Sequence, residues 1–181
     1  NLMNGKKANL VVTDPPYNVA YEGIAGTIQN DSMEDGKFYE FLFSAFKCMY
    51  DVCADGASIY VFHADKESIN FRTAFRDAGF FCHQTCIWVK NTPVLGRCDY
   101  QYCHEPILVG WKPTAGHKWY SDRKQRTVWN FDKPKKSELH PTTKPIPLVA
   151  YPIQNSSVVN SVILEPFGGS GSTFCTATDR R

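Results

Sequence analysis

The sequence predicts an α/β fold, a mostly parallel sheet with helices on both faces. Two observations carry this. Short apolar runs suited to buried strands alternate with longer segments whose apolar residues recur at helical spacing. The two most distinctive loops, at Asp14 and at Phe167, each follow such a run directly. Loops at the carboxyl ends of parallel strands are where ligands bind in such sheets, so these two are expected to meet although they lie at opposite ends of the chain.

Taken in order, Asn9 to Thr13 reads N-L-V-V-T, a buried strand. It stops at Asp14-Pro15-Pro16, because proline supplies no ladder donor and restricts its neighbour. Asn18 to Asp35 is a polar, glycine-bearing loop. From Lys37 to Val52, Phe38, Leu42, Ala45, Phe46, Met49 and Val52 mark a helix, with Asp35 as a cap and Gly56 closing it. Ala57 to Phe62 is a second buried strand. Asp65 to Ala78 is a helix ended by Gly79, and Phe80 to Val89 and Gln101 to Trp111 are further strands. Lys112 to Lys136 has weak periodicity and reads as a loop-rich insertion. Pro145, Pro147 and Pro152 allow only a short or kinked helix between Pro141 and Ser157. Ser161 to Leu164 is a last strand, running into Glu165-Pro166-Phe167-Gly168-Gly169-Ser170-Gly171 and the start of a helix.

The 181 residues fit a single domain, 1–181. Hydrophobic residues at 43% and charged residues at 21% are ordinary for a globular protein. No run approaches the ~20 apolar residues that span a membrane, and no secretion signal opens the chain. It begins at Asn1, as a fragment would. Seven cysteines, none in a C-x-x-C pair, suit a reduced cytoplasmic protein with buried thiols. Cys82, Cys86, Cys98 and Cys103 lack a zinc-ribbon spacing. Cys82 and Cys86, four apart on an extended strand, would stand ~13 Å from each other, too far to share an ion. Charge is unevenly spread. Eight basic residues between Lys112 and Lys136 face only Asp122 and Asp132, a local charge of +6 that leaves −4 on the rest of a chain totalling +2. Such a segment is a polyanion-binding face or a solvated loop.

Asp14-Pro15-Pro16-Tyr17 carries the chemistry. Two prolines hold the backbone stiff. The Asp14 carboxylate and the Pro15 carbonyl are two acceptors for the hydrogens of an exocyclic amino group, which is otherwise a poor nucleophile because its lone pair is delocalised. Tyr17 is a platform on which a flipped base would stack. The glycine loop Phe167-Gly168-Gly169-Ser170-Gly171-Ser172 opens a helix and lets backbone approach a ligand. It matches neither a dinucleotide nor a triphosphate fingerprint.

The Asp14 motif resembles that of DNA amino-methyltransferases. The glycine loop resembles their cofactor loop, and His140-Pro141-Thr142-Thr143-Lys144-Pro145 their stretch beside the methionine end of the cofactor. Catalytic loop first, basic segment next and cofactor loop last is similar to the circularly permuted beta group, over Leu10 to Thr176. The resemblance implies a Rossmann-like methyltransferase fold, S-adenosylmethionine as cofactor, double-stranded DNA as substrate and no metal. Homodimers and a cognate restriction nuclease are its further expectations. Asp14, Pro15, Pro16 and Tyr17 would be catalytic. Asp14, Lys144, Pro145, Glu165, Phe167, Gly168, Gly169 and Gly171 would meet the cofactor, Lys144 through the methionine carboxylate. A target-recognition insertion would fall at about 91–136, where Lys112, Lys118, Arg123, Lys124 and Arg126 would bind phosphates. Asp14, rather than serine, leans toward adenine N6. Cytosine N4 and a non-catalytic DNA-binding remnant stay open. Asn30-Asp31 reads as a family feature near the site or a helix cap, His104-Glu105 resembles family pattern and reads as structural more than catalytic, and His63 as packing or pocket lining. Glu165 stands where the family usually has aspartate. The resemblance also implies another strand after Arg181, with an acidic residue for the cofactor's ribose. The sequence therefore reads as cut short and predicts weak cofactor binding.

Overall fold

A computed structural model describes residues 3–19, 22–23, 26–27, 31–133, 144–168, 171 and 173. Its elements are β1 (Ala8–Thr13), a small ribbon of β2 (Glu22–Gly23) and β3 (Gly26–Thr27), α1 (Asp35–Val52), β4 (Cys53–Phe62), α2 (Ser68–Asp77) after a single 3-10 turn, β5 (Phe81–Val94), β6 (Tyr102–Trp111), β7 (Val128–Asn130), α3 (Ile146–Ser156) and β8 (Ile163–Leu164). The main sheet has the order β7-β5-β6-β4-β1-β8. β1 pairs parallel with β4 and β8, and β5 pairs parallel with β7. β6 runs antiparallel to both of its neighbours, so β5 and β6 form a long hairpin within the mixed sheet.

Alternation along each strand sorts side chains onto two faces. Val11, Ile59, Val61 and Leu108 join Phe38, Leu42, Phe46 and Met49 of α1 and Phe71, Ala74 and Phe75 of α2 in one core. Leu10, Val12, Tyr60, Phe62 and Ile107 join Leu148, Val149 and Ile153 of α3 in the other. Helices cover both faces, as expected. The middle of β1, Leu10 to Val12, is apolar and buried because it lies between β4 and β8 and beneath both layers.

Four local expectations differ. Gly56 does not close α1. The helix ends at Val52, and Gly56 sits inside β4 at φ +72°, where a Cβ would collide with the Gly116 carbonyl. The basic stretch is not all loop, because Val128–Asn130 adds to β5 with Trp129 turned into the core. Three residues are too few for a period to announce a strand. α3 keeps eleven residues with Pro152 inside it. The N-cap of α1 is Glu34, which makes no side-chain cap bond, and Asp35, the expected cap, is the first residue of the helix. Among the described residues, no helix is long and apolar enough to cross a membrane.

Candidate active site

β1, β4 and β8 all point their carboxyl ends at one edge of the sheet, and antiparallel β6 starts there. The ladder register Leu10↔Ile163 and Val11↔Leu164 brings the residues after β1 beside those after β8. The Thr13 hydroxyl donates to Glu165 Oε1 at 2.8 Å, joining the two distinctive loops directly. Their predicted meeting is therefore found.

The first loop is clamped by residues that precede α1. Asp31, buried, accepts from the Tyr17 amide at 2.9 Å and the Val19 amide at 3.3 Å. Asn18, at φ +56°, grips Met33 from both sides, donating to its carbonyl at 3.2 Å and accepting from its amide at 2.6 Å. Asp31 thus holds the Asp14 loop instead of capping α1. Asn30 lies outside the described residues.

At the centre, the Tyr17 hydroxyl lies 2.5 Å from Asp14 Oδ1 and 3.1 Å from Glu105 Oε2. Lys144 Nζ donates to Asp14 Oδ2 at 2.6 Å and to the Tyr17 oxygen at 3.0 Å, and it pairs with Glu105 Oε2 at 3.2 Å. Lys90 closes the set at 2.5 Å from Glu105 Oε1. Two carboxylates and two ammoniums balance in charge, which is what allows four ionic groups to sit together out of water. Lys144 is only 9% exposed and lies over the Tyr17 and Phe62 rings.

The environment sets each proton. Burial raises the Glu105 carboxyl, but Lys144 and Lys90 outweigh that and hold it at about 2. Burial depresses Lys144, and Asp14 and Glu105 more than offset it, so its ammonium is raised. Burial and the charges of Asp14 and Glu105 push Tyr17 well above the ordinary phenol value, so it stays neutral and donates. Among the described residues, Glu165 has no such cation in bonding distance. Burial pushes it up to about 7 against the opposing bonds from Thr13 and the Phe167 amide.

Several sequence expectations meet a different placement. The edge of the Tyr17 ring packs on Phe71 and its hydroxyl is engaged, so the ring is part of the cluster, not an open platform. Lys144 arrives at the site but bonds the protein's own carboxylates. Pro15 and Pro16 follow β1 as expected, with Pro15 buried. Pro145 precedes α3, and Phe167 packs on Phe41. Gly171 takes φ +78° with its amide on the Gly168 carbonyl at 2.7 Å, a turn that glycine suits. Gly169, Ser170, Ser172 and 140–143 lie outside the described residues.

The five residues expected to bind phosphates are not gathered at this edge. Lys112 bonds the Tyr50 and Cys53 carbonyls, each at 3.2 Å, at the carboxyl end of α1. The stretch holding Lys118, Arg123, Lys124 and Arg126 leaves β6 at the end of the sheet opposite the Asp14 edge and climbs back to β7, whose Val128 pairs with Ile87. There Arg123 and Arg126 help line a pocket of about 490 Å³ with Trp111, His117 and Trp119. Chain order alone could not reveal this, since β6 runs away from the Asp14 edge.

Lys90 had no reading from the sequence, and Glu105 read there as structural more than catalytic. The available signal was a charged residue at an inward position on each of two neighbouring strands, but their pairing across the ladder is tertiary. His63 is buried and stacks on Phe71 at 5.1 Å. Its Nδ1 faces the Ala64 carbonyl, and its Nε2 has no hydrogen-bond partner among the described residues.

The fold is that of solved DNA methyltransferases. The PvuII DNA methyltransferase, described as cytosine-N4-specific, superposes with a TM-score of 0.80 at 13% identity, covering 97% of this chain and 72% of that one. The complex of M1.HpyAVI with SAM gives 0.71 at 20% identity, covering 98% and 80%. Residues 8–180 match the model of the DNA methylase family that spans the N6 and N4 types, and the chain belongs to that family. It is 29% identical over 175 residues to the Escherichia coli (strain K12) protein named as methylase YubD, covering 96% of this chain and 72% of that protein. It is 26% identical to the Type II methyltransferase M.HpaI of Haemophilus parainfluenzae, of whose length it spans 58%.

Proposed function

We propose that this chain is the catalytic core of a DNA methyltransferase acting on adenine N6, with S-adenosylmethionine as methyl donor and the permuted order of the beta group. The carrying observation is Asp14, anchored at the end of β1 by the Tyr17–Lys144–Glu105 cluster and joined through Thr13 and Glu165 to the glycine loop. The residues fit the donor's zwitterionic end. Lys144 offers a buried ammonium for its carboxylate, and Glu165 offers a carboxyl for its amine, beside a turn where Gly171 leaves open space.

When bound, the donor supplies an electrophilic methyl group. Every other part of the chemistry belongs to the chain. Asp14 accepts a hydrogen bond from the target amino group and orients its lone pair. Both Asp14 oxygens are already engaged, Oδ1 by Tyr17 and Oδ2 by Lys144. Each oxygen keeps a second lone pair for the amino group, and Lys144 is the partner with another destination, the donor's carboxylate. Moving Lys144 leaves Lys90 to hold Glu105 in place. The aspartate at position 14 favours adenine. Cytosine N4 is the second reading, supported by the TM-score of 0.80 to the cytosine-N4-specific PvuII enzyme.

The test is transfer of tritium from labelled S-adenosylmethionine to unmethylated genomic DNA, followed by nucleoside separation. Label in N6-methyladenine, reduced at least about a hundredfold by Asp14→Ala, is expected. Label in N4-methylcytosine would move the assignment to the second reading. Equal transfer by the variant would remove Asp14 from the chemistry.

A further inference from the structure

The cavity on the α3 face of the sheet has no part in methyl transfer. It measures about 490 Å³, inside the ~300–1,000 Å³ that small-molecule sites occupy. Its floor is made by Ser58 and Tyr60 of β4, Gln84 and Cys86 of β5, and Val109 and Trp111 of β6. Ile107 pairs with Phe62 at the end of β4 nearest Asp14. At ~3.3 Å per residue, Trp111 lies ~13 Å further down the strand.

The cavity is built rather than left over. β5 shifts register between Cys82 and Gln84, so His83 is an extra residue in the ladder. The bulge turns His83 to the side of Gln84, and both line the cavity. His83 and His117 pack on the Trp111 ring with centroids at 4.9 Å and 4.0 Å, His117 within 19° of parallel. The basic stretch is fixed over this floor by its backbone and its uncharged side chains. The Tyr120 amide donates to the Asn155 carbonyl at 2.8 Å, the Tyr151 hydroxyl to Gln125 Oε1 at 2.6 Å, and the Trp129 indole to the Arg126 carbonyl at 2.8 Å. Asp122 is engaged by the Lys124 amide at 2.9 Å and by Gln125 Nε2 at 2.7 Å. Among the described residues, the Arg123 and Arg126 guanidiniums have neither a hydrogen bond nor an ion pair. Asn155 is 5% exposed and lines the cavity, and its side-chain amide has no hydrogen-bond partner among the described residues. A buried amide left unpaired is costly, so its position points to a molecule that enters the cavity.

Each of these groups selects a chemistry. Guanidinium forks grip a phosphate. Indole and imidazole faces stack on a heteroaromatic ring. A carboxamide pairs with the amino group and ring nitrogen of adenine. We propose that this cavity binds a free adenine nucleotide, its base against Trp111, His117 and Trp119, its edge on Asn155 and its phosphate on Arg123 and Arg126. A nucleotide within a DNA strand carries the same groups, but a cavity closed between α3 and the sheet suits a molecule that ends there. The methyl donor carries adenosine without a phosphate, so the arginines separate the two ligands.

Trp111, Trp119 and Trp129 line the cavity, so tryptophan fluorescence reports on it. Titration with adenosine monophosphate is expected to quench it saturably, with half-saturation below about 1 mM. Arg123→Ala/Arg126→Ala should raise that concentration at least about tenfold, the size of losing a charge-assisted pair. Both arginines are exposed, so the variant should keep the parent's circular dichroism and melting temperature. Adenosine, which lacks the phosphate, should bind parent and variant alike. No saturable quenching up to about 10 mM overturns the proposal. Equal affinity in the double variant also overturns it, because the nucleotide would then sit in a site without these arginines, such as the methyl donor's. Displacement of the nucleotide by a short DNA duplex overturns it as well, and makes the arginines contacts to a strand.

Discussion

Glu105 is the residue on which the site's electrostatics turn. It faces Lys90, Lys144 and the Tyr17 hydroxyl. Glu105→Gln would leave two buried ammoniums with Asp14 as their remaining carboxylate in the cluster, and breaking such a pair costs about 3–5 kcal/mol. Urea unfolding at neutral pH should show that loss. The pH dependence has a definite sign. Glu105 is held at about 2, below its ordinary 4.5, so its contribution is complete above 4.5 and disappears as pH falls toward 2. The parent should lose about 3 kcal/mol across that window, and the variant should lose correspondingly less. Glu165 runs the other way. Raised to about 7, it binds a proton in the folded chain that the unfolded chain has released, so it weakens folding as pH rises from 4.5 to 7. A ligand ammonium beside it would favour its ionised form. Affinity for S-adenosylmethionine, read by calorimetry, should tighten as pH rises from 6 to 8, and Glu165→Gln should flatten that slope.

Among the elements, the β5–β6 hairpin is the most demanding of its residues. Gly110 faces Cys82 across the ladder, and a Cβ there would overlap the Phe81 carbonyl and press on the Phe75 ring at 3.0 Å. Overpacking against backbone cannot be relieved by a rotamer change. Gly110→Ala should cost about 2–3 kcal/mol in urea unfolding. A stability equal to the parent would mean that the strands can separate locally without disturbing the α2 layer. Elsewhere the elements were largely legible. The N-L-V-V-T run, the 3.6-residue spacing of Phe38, Leu42, Phe46 and Met49, and the stop at Gly79 all match observed structure. β7 was not legible, because three residues added to an edge draw their strand character from Ile87, Trp88 and Val89 beside them.

At the scale of the whole molecule, one aromatic residue ties the helical layer to the site. Phe71 contacts Phe38 and Phe46 of α1, Tyr17 of the Asp14 loop, and His63 after β4. Phe71→Ala should destabilise the fold by about 4 kcal/mol and lower methyl transfer as well, since Tyr17 loses its support. Stability lost without any change in transfer at a temperature where the variant remains folded would show that Tyr17 is held from the Asp14 side alone. The apolar strand runs, the helical periods and the rigid Asp-Pro-Pro-Tyr turn were readable along the chain, because each depends on neighbours within a few residues. The convergence of the Asp14 and Glu165 loops was also readable, since parallel strands place their carboxyl ends together. Where the charges went was not. Lys90, Glu105 and Lys144 are up to 54 residues apart in numbering, and they meet because antiparallel β6 begins where β5 passes the site. The same reversal carried Lys112 and the arginines after it to the opposite edge. Local sequence sets which way a strand prefers to pack. The direction in which it crosses the sheet, and hence which charges share one low-dielectric space, follows from long-range pairing that no short window of residues contains.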